Sequence, residues 1–443
     1  MNYPTINQQE VSQTLTYRAM KLVYSILWYF LLLPLLMIFV IKMLLGKSGY
    51  TRARLSRFAV FKPTLKHSNI LWHCVSVGEV VCVTPLIKRL QNEHPDLSIT
   101  ITTTTATGAD QVSKSFGNQV QHCYLPYDCG WLMRRLLNRI KPKVLLITEV
   151  ELWPNLISTA KQRNINTAII NARMTNRSAA SYAKLGRFFV GTAAQIDWIS
   201  TQGNQDKQNY ERLGVNPTKL VCNGNIKFEL QDTTQRNQHL EHKAQQAHQH
   251  GRCIIVAAST HDPEEQMAIN AFRQLTDANV SVELWIVPRH PQRFKQVVDL
   301  LEQSKLNYAR YNEMLDSSLQ SNDSSILLID AMGVLNAAYT AGDIAFVGGS
   351  FAEKGGHNAL EAALHKLPVV MGPSQFNNPA IYQQLHDAGN LITANNQVEL
   401  EHILLDWCNN KQHRVEAGQA GSSIIEQNRG ALAANQALIE ALL

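Results

Sequence analysis

The sequence predicts an α/β protein: two parallel-sheet domains behind an N-terminal apolar anchor. Three observations carry that expectation. Short apolar runs alternate with amphipathic segments through both halves of the 443 residues, a polar stretch separates the halves, and residues 22–41 form an apolar run without a charge. Strand-helix alternation implies parallel strands covered by helices on both faces, and the length leaves room for two or three domains.

The anchor comes first. Only Ser25 and Pro34 interrupt LVYSILWYFLLLPLLMIFVI, and Trp28 and Tyr29 supply aromatics. Such a run is about long enough to cross a bilayer. Lys42 and Lys47 follow it with no small-residue cleavage site, which argues against a signal peptide. The alternatives are a spanning or deeply inserted helix and a bent helix lying in one leaflet. Positive residues are sparse before the run (Arg18, Lys21) and dense after it (Lys42, Lys47, Arg52, Arg54, Arg57, Lys62, Lys66), which places the main body on the cytoplasmic side. The same basic run can simply signal topology or sit on anionic lipid. Seven scattered cysteines without a C-x-x-C fit a reducing compartment and argue against disulfides or a zinc site. A net charge of +6 is mild and does not indicate a dedicated nucleic-acid binder.

In the first half, strands are expected over 70–75, 97–105, 120–125, 144–148, 167–171, 196–201 and 220–222, with helices at 80–92, 131–140 and 155–162. Ligands gather at the carboxyl ends of such strands. The first strand ends in Ser76-Val77-Gly78-Glu79, where a carboxylate is either a helix-dipole partner or a general base. The fourth ends in Glu149-Val150-Glu151-Leu152-Trp153-Pro154-Asn155, with Pro154 suited to a first helical turn and two carboxylates beside it.

Residues 229–251 are polar and lack an apolar period long enough for a core helix, so 230–251 reads as a linker. Its histidines, His239, His242, His248 and His250, lack a cysteine or paired carboxylate to complete a metal site and read as solvated. Strands resume over 253–258, 284–287, 326–329, 344–347 and 369–371. Their ends carry Ser259-Thr260-His261, Pro288-Arg289-His290-Pro291, Asp330-Ala331-Met332-Gly333 and Gly348-Gly349-Ser350. A second glycine pair, Gly355-Gly356, is expected to open a helix through His357, Asn358 and Glu361. Paired glycines allow close approach of a ligand, and helix-start N–H groups attract phosphate while Glu361 meets a ribose diol. The competing reading is a glycine-rich turn, with Glu361 favoured by the helix dipole.

Six blocks in order carry a resemblance: His73-Cys74-Val75-Ser76-Val77-Gly78-Glu79, Thr102-Thr103-Thr104-Thr105-Ala106-Thr107-Gly108, Tyr124-Leu125-Pro126-Tyr127-Asp128, Glu149 to Asn155, Asn171-Ala172-Arg173 and Gly224-Asn225-Ile226-Lys227-Phe228. Together they resemble the 3-deoxy-D-manno-octulosonic acid (Kdo) transferases of lipopolysaccharide synthesis, over nearly the whole chain. The resemblance implies two Rossmann-like domains in the glycosyltransferase-B architecture. It also implies inverting transfer of Kdo from CMP-Kdo to the tetraacylated lipid A precursor, lipid IVA, at the cytoplasmic face of the inner membrane, without a cofactor or catalytic metal. The implied domains are an anchor (1–47), an acceptor domain (48–229), the linker, a CMP-Kdo domain (252–425) and a C-terminal helix (426–443).

The same resemblance puts the catalytic base on Glu79 and makes Glu149 and Glu151 further acidic candidates. Arg173 and Lys227, with Arg177, are candidates for the sugar carboxylate or acceptor phosphates. On the donor side it implies Ser259 at the first strand end, Arg289 on phosphate or carboxylate, Met332 and Gly333 near cytosine, Gly355 and Gly356 near phosphate, and Asn358 and Glu361 on phosphate and ribose. His261 and His290 either contact the donor or fix turns. The sequence departs from the family pattern at Asp262-Pro263, Ala352, Ala359 and Ser374, the last standing where histidine is frequent. Another two-domain glycosyltransferase using a UDP-sugar and a non-catalytic membrane-bound binding protein are the competing functions; Glu79 argues against the second.

Overall fold

The computed structural model describes residues 14–46, 51–62, 64–229, 237–315 and 324–443. The chain divides into two compact units, Met1–Glu229 with Arg429–Leu443, and Leu230–Asn428.

The first unit contains seven strands: β1 (Ile70–His73), β2 (Ile99–Thr103), β3 (Gln121–Tyr124), β4 (Val144–Thr148), β5 (Asn166–Ala172), β6 (Trp198–Thr201) and β7 (Leu220–Cys222). All pair in parallel in the order β3-β2-β1-β4-β5-β6-β7. The apolar runs are continuous because both sheet faces are covered; β1, β2 and β4 are buried at every position. One side packs Leu136, Ile140, Leu156 and Phe189 against the sheet, and the other packs Val83, Leu86, Leu90 and Val112. Strand order reverses between β1 and β4, which are direct neighbours (Ile70 opposite Val144, His73 opposite Ile147). This is a topological switch point, where ligands of doubly wound sheets bind.

The second unit repeats the plan with β8 (Cys253–Thr260), β9 (Val282–Pro288), β10 (Tyr308–Arg310), β11 (Ile326–Leu328), β12 (Ile344–Val347), β13 (Val369–Met371) and β14 (Leu391–Thr393), ordered β10-β11-β9-β8-β12-β13-β14. Its switch point lies between β8 and β12. The expected two-sheet α/β class therefore holds, with two edge strands, β10 and β14, beyond those read from sequence. Each is three residues long, too short to show a strand period.

The expected linker requires a correction. Residues 230–236 lie outside the described residues, but Gln238–Gln249 is a helix of the second unit, capped by the Asn237 side chain on the Leu240 N–H. Leu240, Ala244 and Ala247 are buried at spacings of four and three, so one leucine and two alanines make a narrow apolar stripe. His248 adds a bond to Asp343 at 2.9 Å.

At the C-terminal end, residues 426–443 are not one helix. Lys411–Gln427 is helical, the chain turns, and Ala431–Glu440 returns to the first unit. There Ala431, Leu432, Ile439 and Leu442 enter the core around Val83 and Leu86, and buried Asn435 accepts a 2.7 Å hydrogen bond from Ser200.

The N-terminal helix, Leu15–Leu44, is long and apolar enough to cross a membrane. Part of its surface is nevertheless occupied by the first unit. Tyr24 donates to Asp128 at 3.0 Å, Ser25 donates to Asn155 at 2.9 Å, and Tyr17 accepts from Gln195 at 2.6 Å. Trp28 lies against Tyr127 and Phe39 against Phe58. Tyr17, Tyr24, Trp28 and Phe39 fall on one helical stripe, whereas Leu22, Val23, Phe30, Leu33, Met37 and Ile41 remain exposed on the other side.

Deleting residues 429–443 would strip part of the apolar core from the first unit alone. Calorimetry is expected to show that unit's transition lowered by at least about 3 kcal/mol, the cost of one large core truncation, with the transition of the second unit retained.

Candidate functional site

Two clusters form, one at each switch point. In the first unit, Ser76 precedes the helix Val77–Glu93, placing Glu79 in its first turn. Glu79 accepts a 2.7 Å bond from the Val75 N–H, so its role at the helix start is real. That single bond does not offset its surroundings. Burial first, then the carboxylates of Glu149 and Glu151, push the Glu79 pKa up to about 8, against the pull of the Val75 bond and Lys227. A carboxyl group poised there takes a proton readily near neutral pH.

The neighbouring strand β4 delivers the other two carboxylates. Glu149 adopts φ +60°, an uncommon conformation for a residue with a side chain, and pairs with Lys227 Nζ at 2.9 Å. Of the two, Glu149 exerts the larger electrostatic effect on Glu79. Glu151 is partly buried, which raises its pKa. Against the cost of burial, Glu149 holds the Lys227 ammonium above its ordinary range.

Lys227 is presented by a network the motif blocks encode. Asn171, at φ +56°, accepts from the Ile226 N–H at 3.0 Å, and Asn225 accepts from the Lys227 N–H at 3.0 Å. Gln202 ties both together through the Asn171 carbonyl and the Asn225 amide. Asn171 also reaches Cys82 Sγ at 3.3 Å. Arg173 is close enough to influence Lys227 and Asp206. Arg177 is exposed on the helix Asn176–Ala183, and nothing in its surroundings draws it into the acidic cluster.

In the second unit, Ser259 (φ +53°) is the next-to-last residue of β8, and the next turns bring imidazoles together. His261 Nε2 lies 2.8 Å from His357 Nε2 with the rings stacked, and the His290 ring is 5.4 Å from that of His261. Burial chiefly, with His261, Arg289 and His290 adding to it, lowers the His357 pKa to about 4, so that ring is neutral near pH 7. Arg289 follows β9, where its N–H bonds the Thr260 carbonyl at 3.1 Å. Glu361 is raised chiefly by burial and opposed by its 3.1 Å bond from Asn358 and by Arg289. His261, His290 and Arg289 are therefore gathered around His357, and Arg289 in turn acts on Glu361, which Asn358 bonds. Met332 stands exposed and Gly333 adopts φ +82° in the turn beyond β11.

The glycine segment differs from expectation. Its helix begins later, at Ala359, and runs only to Leu364. Asn358 is the N-cap residue; its side chain accepts from the Leu360 N–H at 3.2 Å. Gly355 and Gly356 adopt φ +84° and +75°, and a Cβ at either would fall 2.6 Å from Phe376 or Met371. These glycines have a conformational and packing reason independent of a ligand.

The residue sequence reasoning missed is Glu264. It is fully buried in the first turn of the helix Glu264–Asp277 and reaches across the switch point to the turn after β12. It accepts from the N–H groups of His261 (3.0 Å), Gly349 (2.8 Å), Ser350 (2.9 Å) and Phe351 (2.9 Å). The Gly348-Gly349-Ser350 turn therefore already holds an anion from its own chain. In sequence, Glu264 is indistinguishable from an ordinary acidic residue in a first helical turn. His357 likewise carries no local signal beyond its place at the expected helix opening.

Two doubly wound units, each with a polar cluster at its switch point, give the two-Rossmann α/β fold of the glycosyltransferase-B architecture. The crystal structure of UDP-GlcNAc 2-epimerase from Neisseria meningitidis bound to UDP-GlcNAc shares this fold at 14% identity, with TM-score 0.50, covering 83% of this chain and 99% of that one. Residues 52–230 match the family model for 3-deoxy-D-manno-octulosonic-acid transferase (kdotransferase). The 3-deoxy-D-manno-octulosonic acid transferase of Haemophilus influenzae is 38% identical over 82% of this chain and 84% of its own length. That of Bordetella pertussis is 32% identical over 74% and 76%. The chain belongs to the Kdo transferase family.

Replacing Glu264 by alanine would leave at least four backbone donors without their acceptor, at about 1–3 kcal/mol for each that stays buried. The variant is expected to lose at least about 3 kcal/mol of stability in denaturant unfolding, with the loss in the second unit's transition.

Proposed function

We propose that the chain transfers Kdo, with inversion, from CMP-Kdo to a primary hydroxyl of the tetraacylated lipid A precursor, lipid IVA, at the cytoplasmic face of the inner membrane. Family membership supports Kdo transfer. The observation that carries the mechanism is a carboxyl group raised to about 8 at the first unit's switch point, Glu79. In this reading the acceptor oxygen attacks the anomeric carbon of Kdo and the bond from that carbon to the CMP phosphate breaks. CMP departs with the electron pair, and Glu79 takes the hydroxyl proton as the new bond forms. Glu149 and Glu151 hold Glu79 in its proton-accepting range, and Arg173 and Lys227 meet acceptor phosphate or sugar carboxylate. Lys227 does so while bonded to Glu149, so it acts as a shared rather than a free cation.

On the donor side, Ser259, Arg289, Met332, Gly333, Gly355, Gly356, Asn358 and Glu361 form the CMP-Kdo site. Arg289 is assigned to phosphate or carboxylate beside the neutral His357, and Glu361 to the ribose diol, which a carboxylate accepts well. Fixed cations and N–H groups can carry the leaving phosphate's charge.

The anchor is assigned to one leaflet rather than a full crossing. Its contacts with the first unit run from Tyr17 to Phe39, about 33 Å of helix at 1.5 Å per residue, which matches the roughly 30 Å hydrocarbon core. A helix held along that length cannot also thread the bilayer away from the body. Its exposed apolar side enters the near leaflet.

Purified protein with CMP-Kdo and lipid IVA is expected to add Kdo mass to the lipid by mass spectrometry, and Glu79→Gln to lower turnover ~10²–10⁴-fold. CMP should protect against donor turnover better than UDP; the reverse ranking overturns the donor assignment. Because the base must be ionised, kcat/KM should rise with pH to a plateau above about 8, and that limb should vanish in the variant. The folded-state pKa exceeds the unfolded one, so the contribution of Glu79 to stability is greatest in acid and declines as pH rises from about 4.5 through 8. Glu79→Gln should accordingly be the more stable protein at pH 9, with Tm higher by about 2–4 °C or more.

Membrane topology is separately testable. With one-leaflet insertion, a cysteine introduced as Asn2→Cys should react with an impermeant maleimide only after the inner membrane is opened. Labelling from the periplasmic side would establish a spanning helix.

A further inference from the structure

The helices Asn176–Ala183, Arg187–Ala193 and Asn204–Arg212 border a cavity of about 400 Å³ in the first unit. Ala179, Ala180, Ala183, Phe189, Val190 and Leu213 supply an apolar lining. The hollow opens to the surface, where Ala180 and Ala183 are exposed and too small to fill it. The volume lies within the range of about 300–1,000 Å³ typical of small-ligand sites.

Its neighbours on either side indicate what it takes. Towards the anchor, the helix Arg187–Ala193 faces two ways. Phe189 and Val190 line the cavity, while Phe188 stacks near Tyr17 and Tyr24 and Gly191 lies under the Tyr17 ring. Towards the acidic cluster, Tyr182 lines the cavity and donates its hydroxyl to the Val150 carbonyl at 3.2 Å, between Glu149 and Glu151. Arg187 and Arg212 also line it, and both are exposed. The cavity thus links the docked anchor helix to the carboxylate turn, with an apolar hollow and cations at its edge.

The geometry points to a binding site for one acyl chain of the acceptor lipid, with Arg187 and Arg212 meeting the phosphate of the same molecule. This rests on the lipid-acceptor reading above. A nucleotide or free sugar phosphate needs several convergent polar groups. The polar side chains here are largely engaged: Asn209 Nδ2 bonds the Met174 carbonyl at 2.7 Å and Asn176 at 2.9 Å, and Tyr182 is held by Val150. An acyl chain uses the apolar wall, and its headgroup uses the guanidinium groups. Seating one chain beside Tyr182 would fix the acceptor relative to Glu149, Glu151 and Glu79, so the cavity would select an acylated acceptor as well as retain it.

The test uses the full-length protein and a tetraacylated glucosamine disaccharide bisphosphate bearing a diazirine at the end of one acyl chain, irradiated without CMP-Kdo. Crosslinks are expected within residues 176–190 or 209–214, competed by unlabelled acceptor and not by a tenfold excess of phosphatidylethanolamine. Ala183→Trp, which fills the hollow, should cut this labelling at least fivefold. It should also reduce discrimination in kcat/KM for the tetraacylated over the deacylated acceptor about tenfold, through KM. Labelling elsewhere, equal displacement by phosphatidylethanolamine, or an equal kinetic loss on both acceptors would overturn the proposal. Labelling at these segments without Kdo transfer by the wild type would sink the transfer reading and leave the acyl site standing; transfer without labelling would do the opposite.

Discussion

A buried carboxylate, Asp128, joins the parts of the first unit that matter most. It accepts from the N–H groups of Asn155 and Leu156, both at 2.9 Å, and from the Tyr24 hydroxyl at 3.0 Å. Burial raises its pKa to about 6, against the pull of these three donors and of Lys21. Two of the donors are orphan amides at the start of the helix Pro154–Lys161. That helix follows directly on the turn bearing Glu149 and Glu151, so the acidic turn is fixed at its downstream end by a side chain from another motif block. The third donor belongs to the anchor helix. Asn155 completes the arrangement by donating to the Asp128 carbonyl and accepting from Ser25. The blocks Tyr124 to Asp128 and Glu149 to Asn155 are thus two halves of one joint.

The same fold rule produces opposite fates for two glutamates. Glu79 and Glu264 each occupy the first turn of the helix after the first strand of their unit, beside a switch point. Glu79 receives a single backbone bond and faces two other carboxylates, so its anion is disfavoured and its proton affinity raised. Glu264 receives bonds from at least four backbone N–H groups and organises the glycine turn after β12. The two glutamates share a position in the fold and differ in the number of fixed donors aimed at them and in the charges they face.

Much of this was legible in the chain. The long central strands and the helices between them follow from apolar periodicity, and the motif glutamates fall at strand ends because parallel sheets put loops there. Legibility failed where the signal was short or the partner distant. β10 and β14 are three-residue edges, and Gln238–Gln249 buries alanines in place of the larger apolar residues that mark a core helix. Glu264 meets Ser350 across 86 positions, and Asp128 meets Tyr24 across 104. No local pattern encodes such pairs. The glycine pair Gly355-Gly356 is ambiguous for a related reason: its positive φ angles and tight contacts with Phe376 and Met371 require glycine with or without a phosphate nearby.

On the one-leaflet reading proposed for the anchor, hydropathy alone overstates a crossing. Its composition satisfies any test for a spanning segment, yet its few polar atoms have specific partners: Ser25 on Asn155, Tyr24 on Asp128 and Tyr17 on Gln195. In a free span these groups would face hydrocarbon, where an unmet hydrogen bond costs several kcal/mol. Docked against the first unit they are satisfied, and the leucines and phenylalanine that remain exposed form a single apolar face. Detaching the helix to cross the bilayer would take one of three donors from Asp128 and the Ser25 donor from Asn155, and would leave the helix's own hydroxyls without these partners. The bonds that fix the Glu149 and Glu151 turn are thus the ones on which the one-leaflet proposal rests. On the proposed reading, membrane attachment and acceptor positioning are one structural unit: a helix whose polar stripe holds the acidic turn in place while its apolar face enters the leaflet from which the acceptor comes.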